Sequence, residues 1–189
     1  MPPLEPMRIL LAGSSHTRLF FPYVRESLMG EASVEKLPFD AGRTDEILAT
    51  LPRWPVGDKD LIHLYAGLRD LTLDGEGVPH VGPEEFRENL GRIVAELRSR
   101  GRAALVLSNV PAVSEDLLQY DEGWNGRIAL YNRIIESVAA SAGVPVHDFS
   151  GFADAYEGDK FLDGLHFTRA FYRDFGQKLA GDLKRILGR

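Results

Sequence analysis

The stretch Arg8-Ile9-Leu10-Leu11-Ala12-Gly13-Ser14-Ser15-His16-Thr17 decides the reading of the whole chain. Its first half is a short apolar run of the kind found in strands covered on both faces. Gly13 ends the run abruptly, and two serines follow on a sharp turn. A serine placed on such a turn is a frequent nucleophile, but its hydroxyl is weak at neutral pH and needs a base within hydrogen-bond reach. Far along the chain, Asp163-Gly164-Leu165-His166 stands just before a helical pattern. An imidazole titrates near neutrality, so His166 suits the base, and Asp163 suits the group that holds its other ring nitrogen. Ser15 is the expected nucleophile, with Ser14 as the alternative.

Working outward from that stretch, four more short apolar runs read as strands: Ser33–Leu37, Asp60–Ala66, Ala103–Ser108 and Val144–Phe149, beside the first at Met7–Ala12. Helical patterns alternate with them. Pro22 suits a first helical position, with Tyr23, Val24 and Leu28 facing inward up to Gly30. Thr44 suits the cap of a short helix carrying Ile47, Leu48 and Leu51. Apolar stripes follow at Phe86–Leu97, Ile128–Val138 and Phe171–Ile186, each with helical spacing. Strand and helix alternating in this way predict an α/β fold, a three-layer αβα sandwich around a five-stranded parallel sheet, which we read as flavodoxin-like with order 2-1-3-4-5. Sites in such sheets lie outside the carboxyl ends of the strands. Ser15, Gly42, Arg69, Asp70, Asp163 and His166 all fall at that edge.

The bulk numbers fit this reading. A chain of 189 residues, 44% apolar and 26% charged, is expected to form one domain over 1–189 with a sizeable core. A net charge of −6 with scattered basic residues points away from nucleic acid. There is no cysteine, hence no disulfide and no thiolate metal site. No apolar run approaches a membrane span, and the first residues lack the features of a signal peptide. The chain is therefore expected in the cytoplasm. No metal site and no cofactor are expected, because neither a ligand cluster nor a phosphate-binding loop is present.

These residues resemble the SGNH hydrolases, the group of GDSL esterases and lipases. The four blocks of that family have counterparts here in order: Gly13-Ser14-Ser15-His16-Thr17, Gly42-Arg43-Thr44, Gly67-Leu68-Arg69-Asp70 and Asp163-Gly164-Leu165-His166. Pro111, Tyr131-Asn132 and Asp148 agree in place. The resemblance implies the SGNH hydrolase fold, a Ser15–His166–Asp163 triad, and an oxyanion hole formed by Ser15, Gly42 and Arg69. Two positions depart from the family pattern. Ser14 stands where the family has Asp, and Arg69 stands where it has the oxyanion-binding Asn. A guanidinium donates hydrogen bonds and carries a fixed charge, but it is longer than the Asn side chain.

The expected activity is that of a serine esterase, acting on an ester or thioester through an acyl-enzyme. The rivals are a dedicated acyltransferase or deacylase for a small anionic molecule, and a non-catalytic binding module on the same fold. The partner is then a small ester or acyl substrate, with no nucleic acid and no membrane; the sequence leaves the oligomeric state open. His16, Asp70 and Trp124 are expected to contact the substrate. The long loops Leu71–Pro83 and Ala112–Asn125, the latter with Leu117, Leu118, Tyr120 and Trp124, are expected to shape its pocket. His63 is expected to be a hydrogen-bonded core residue.

Overall fold

β1 (Met7–Ala12) is buried along its length except at Arg8, so both of its faces are covered. This burial explains why it reads as a continuous apolar run rather than an alternation. It lies between β2 (Ala32–Lys36) and β3 (Leu61–Tyr65), with Ile9 opposite both Val34 and Leu61. β4 (Ala104–Ser108) and β5 (Val146–His147) complete a five-stranded sheet of order β2-β1-β3-β4-β5 in which every pairing is parallel. The computed structural model describes residues 6–118 and 123–188. β2 is an edge strand, and only Val34 at its centre is buried.

Helices cover both faces. α1 (Ser15–Ser27) packs on α7 (Arg169–Ile186), while α3 (Pro83–Ser99) packs on α2 (Thr44–Thr50) and α5 (Trp124–Ala142). Two short helices, α4 (Glu115–Leu118) and α6 (Phe149–Ala155), add to the expected set. The α1–α7 contact depends on Gly176, where a Cβ would stand 2.7 Å from Tyr23 Cβ and 3.2 Å from the Phe20 carbonyl oxygen. Phe149 stacks on Phe175 at 3.9 Å and Phe167 on Phe171 at 4.0 Å, which seats α6 and the segment before α7 on the same layer.

Three local expectations are corrected. Pro22 lies inside α1, which starts at Ser15. The ring is tolerated there because Pro22 and Arg18, whose carbonyl loses its helical donor, are both exposed, so water can replace the missing bond. Thr44 is the first residue of α2 rather than its cap; Arg43 holds the cap position, and its amide donates to Glu46 Oε2 at 3.0 Å. The last strand stops at His147 because Asp148 caps α6, accepting from the Gly151 amide at 2.8 Å. None of the described helices is long and apolar enough to cross a membrane.

Two buried histidines lie within the sheet. His147 Nε2 stands 3.2 Å from Asp182 Oδ2. His63 is fully buried, but neither of its ring nitrogens has a hydrogen-bond partner among the described residues, contrary to the expected hydrogen-bonded core residue. Burial holds His63 well below the ordinary imidazole range and lowers His147 to about 4. Folding therefore keeps both neutral where the unfolded chain takes up protons. Their contribution to stability is complete above about pH 6.5 and is lost as the pH falls below it, at up to ~1.4 kcal/mol per pH unit for each histidine. We expect the melting temperature to drop between pH 7 and pH 5, and a His63→Phe variant to show a shallower drop. An equal slope in the two proteins would contradict this account.

Candidate active site

The site begins where β1 meets α1. A Cβ on Gly13 would lie 2.2 Å from Thr17 Oγ1 and 2.9 Å from the Tyr65 carbonyl oxygen, so the chain can turn this tightly only at glycine. Ser14 holds the cap position of α1 with an extended backbone, and its side chain is buried and makes no capping bond. Ser15 follows as the first helical residue and is half-buried. Its amide is one of the unpaired donors at the helix N-terminus, where the backbone carries partial positive charge.

His166 comes to Ser15 on a loop closed by pairing between Phe161 and Phe167. The Leu162 amide donates to the His166 carbonyl at 2.7 Å, and the Thr168 amide to the Lys160 carbonyl at 2.7 Å. Gly164 forms the bend with φ +86°, a left-handed conformation that favours glycine, and the Ser114 amide donates to its carbonyl at 2.8 Å. Within this loop, Asp163 Oδ1 accepts from the amides of Leu165 at 3.0 Å and His166 at 2.6 Å. Asp163 Oδ2 lies 2.8 Å from His166 Nδ1, and His166 Nε2 lies 3.0 Å from Ser15 Oγ. Burial opposes the Asp163 charge, but the bonds from the His166 amide and ring and the Leu165 amide outweigh it, and the carboxyl is held below its ordinary range. An ionised Asp163 puts the imidazole proton on Nδ1, which leaves Nε2 free to accept from the serine hydroxyl. Of the two candidate serines, Ser15 makes this contact.

The next two strand-end loops are pinned to this corner. The Ala41 amide donates to the Gly13 carbonyl at 2.9 Å, which sets Gly42 beside the serine turn. Asp70 Oδ1 accepts from the Thr44 amide at 2.7 Å and the Thr44 hydroxyl at 2.5 Å, tying the β3 loop to the start of α2. Asp70 is wholly buried; that burial pushes it up to about 6, against the Thr44 bonds that favour its charge. Arg69 points the other way and is exposed. Its Nε lies 3.5 Å from the place a Cβ on Gly42 would occupy.

The three expected substrate contacts are placed differently from that expectation. Asp70 presents no surface to solvent and serves Thr44 instead. Trp124 is buried at the start of α5, with the Arg127 guanidinium 5.4 Å from its ring centroid. His16 is buried under the site, where its Nδ1 meets the Tyr172 hydroxyl at 2.6 Å and its ring lies 5.6 Å from that of His166. Burial and the neighbouring His166 lower His16 to about 3, so it is neutral where it meets the Tyr172 hydroxyl. Tyr172, which the sequence reading missed, also accepts from the Phe167 amide at 3.3 Å. Its hydroxyl therefore joins the helix carrying Ser15 to the residue after His166. In the second long loop, Leu117 is exposed and packs against Gly164, Leu118 is buried, and Tyr120 lies outside the described residues. Among the described residues, no group of three or more His, Asp or Glu side chains is arranged to hold a metal ion.

A parallel sheet of this order, with a Ser–His–Asp chain at its carboxyl edge, defines a class of α/β hydrolytic fold. The sequence matches the GDSL-like Lipase/Acylhydrolase family over residues 25–173, and the chain belongs to that family. The matched span includes Gly42, Arg69, Asp163 and His166 but starts after Ser15. The fold is also that of solved SGNH-type esterases. An acetyl xylan esterase, AlAXEase, superposes with a TM-score of 0.79 at 14% identity, covering 94% of this chain and 100% of the other. The lipase/acylhydrolase from Enterococcus faecalis gives a TM-score of 0.74 at 22% identity, covering 94% and 95%. TesA gives 0.71 at 18%, covering 96% and 99%. No curated protein sequence matches the chain significantly.

Removing the Tyr172 hydroxyl leaves a buried amide and a buried imidazole nitrogen unpaired. A Tyr172→Phe variant is expected to lose about 1–3 kcal/mol of stability, read by urea denaturation. Unchanged stability would mean that the hydroxyl does not tie these elements together.

Proposed function

We propose that this chain is a serine esterase in which Ser15 is the nucleophile, His166 the general base and acid, and Asp163 the residue that orients His166. The observation that carries this reading is the continuous hydrogen-bonded chain from Asp163 Oδ2 through His166 to Ser15 Oγ, at 2.8 and 3.0 Å. These distances lie within the range required for proton transfer between nucleophile and base.

The reaction follows from this arrangement. Ser15 Oγ bonds to the ester carbonyl carbon as its proton passes to His166 Nε2. The carbonyl π electrons move to oxygen. The resulting oxyanion lies against the amides of Ser15 and Gly42, with the Arg69 guanidinium adding positive charge beside them. Collapse of the tetrahedral intermediate re-forms the carbonyl and breaks the ester C–O bond, and the departing alkoxide takes the proton from His166 Nε2. A water then attacks acyl-Ser15 while His166 accepts its proton. The second collapse returns the proton to Ser15 and releases the acid. Asp163 stays ionised throughout and stabilises the imidazolium that forms twice in each cycle. The substrate is a small-molecule ester, in keeping with the esterases that share this fold.

Hydrolysis of 4-nitrophenyl acetate tests the assignment. Ser15→Ala is expected to lower kcat by about 10³-fold or more, and Asp163→Asn to lower it by a smaller but still large factor. A fluorophosphonate probe should add a single phosphonyl group at Ser15, located by peptide mass mapping. Full activity in Ser15→Ala, or labelling at Ser14 in its place, would overturn the assignment of the nucleophile. A chain that neither hydrolyses the ester nor takes the label would instead be a binding module.

A further inference from the structure

The arginines at this edge of the sheet differ in one respect. Arg18, one turn into α1, lies 3.8 Å from Asp40. Arg43 is bonded to Asp45 at 2.9 Å and lies 3.6 Å from Glu46. Arg69 is exposed, and among the described residues it has neither an ion-pair nor a hydrogen-bond partner. Its neighbour in sequence, Asp70, is turned inward onto Thr44. Glu46, whose Oε2 also stands close to the Gly42 Cβ position, accepts from the Arg43 amide at 3.0 Å and lies 3.6 Å from the Arg43 guanidinium rather than pairing with Arg69. The Arg69 side chain crosses the Gly42 segment with Nε 3.5 Å from the position of a Gly42 Cβ. The Ala41–Gly13 bond ties that segment to the serine turn.

Among the described residues, the site thus holds an exposed guanidinium without a protein partner, beside the Gly42 segment that is tied to the serine turn. Such a fork binds two oxygens of one carboxylate or phosphate through parallel N–H donors. A guanidinium is also longer than a side chain that serves the carbonyl oxygen alone, so its donors can reach a substituent of the substrate. Its charge also attracts an anion toward the cleft from solution. Resting on the assignment of Ser15 as nucleophile, we propose that Arg69 makes this enzyme selective for esters that carry an anionic group, carboxylate or phosphate, a few bonds from the scissile carbonyl.

The test compares matched pairs of substrates. Mono-4-nitrophenyl succinate is set against 4-nitrophenyl valerate, and 3-acetoxypropyl phosphate against propyl acetate. The first pair reports a carboxylate on the acyl side, the second a phosphate on the alcohol side. The wild type should favour the anionic member of at least one pair by about tenfold or more in kcat/KM, mainly through KM, as one charge-assisted hydrogen bond provides. Arg69→Gln should abolish that preference, Arg69→Lys should retain part of it, and added salt should weaken it. A preference ratio unchanged in Arg69→Gln, even with both rates lowered, would overturn the proposal and leave Arg69 serving the oxyanion alone. Should the wild type hydrolyse none of the four, calorimetric binding of monomethyl succinate to wild type and Arg69→Gln decides. Binding lost only in the variant upholds the role of Arg69 while the esterase reading fails; equal or absent binding in both rejects it.

Discussion

Burial of β1 on both faces is the constraint on which the rest of the structure depends. An apolar strand with helices above and below must lie inside the sheet, and its parallel neighbours must return by crossovers. Parallel strands all point one way, so every strand ends on the same edge. Polar residues excluded from the doubly covered interior collect in the loops at that edge. The Ser15 turn, the Gly42 loop, the Arg69 loop and the Asp163–His166 loop are neighbours for this reason, although the chain separates the first from the last by 151 positions.

Sharing an edge does not place side chains to within a hydrogen bond. That accuracy comes from a few polar links between loops: Ala41 to Gly13, Asp70 to Thr44, and Tyr172 to both His16 and Phe167. Each lies in a buried setting, where an unmade bond is costly and alternative geometries are disfavoured. Asp70 shows what this arrangement involves. Its carboxylate is held without solvent, satisfied on one oxygen by Thr44 and left without a partner on the other. Its burial is disfavoured for the charged form, and in return the loops bearing Gly42 and Arg69 are held in register.

Much of this was legible from residue order. The five strands and their parallel arrangement follow from apolar runs and turn residues, and the matching of a serine on the first turn with Asp163 and His166 follows from residue type, one three-residue spacing and the family resemblance. The errors were local and have physical causes. Pro22 reads as a helix start because proline suits that position, yet an exposed face tolerates it inside α1. Thr44 reads as a cap because its hydroxyl can bond an N-terminal amide, yet a buried carboxylate took the hydroxyl. Trp124 and His16 read as cleft residues from their place in the chain, yet both turn into the interior.

The sequence by itself determined which elements form and which ends of them meet, because strand and helix periodicities and the parallel connection rule are properties of the local chain. It also carried the chemical types, a hydroxyl, an imidazole, a carboxylate and a guanidinium, to one edge. Only the tertiary structure decided which serine faces His166, that Asp70 turns inward while Arg69 turns out, and that Tyr172 joins the two halves beneath the site. Those outcomes depend on burial and on contacts between residues far apart in the chain, and no local pattern encodes which of two adjacent side chains the folded interior will accept.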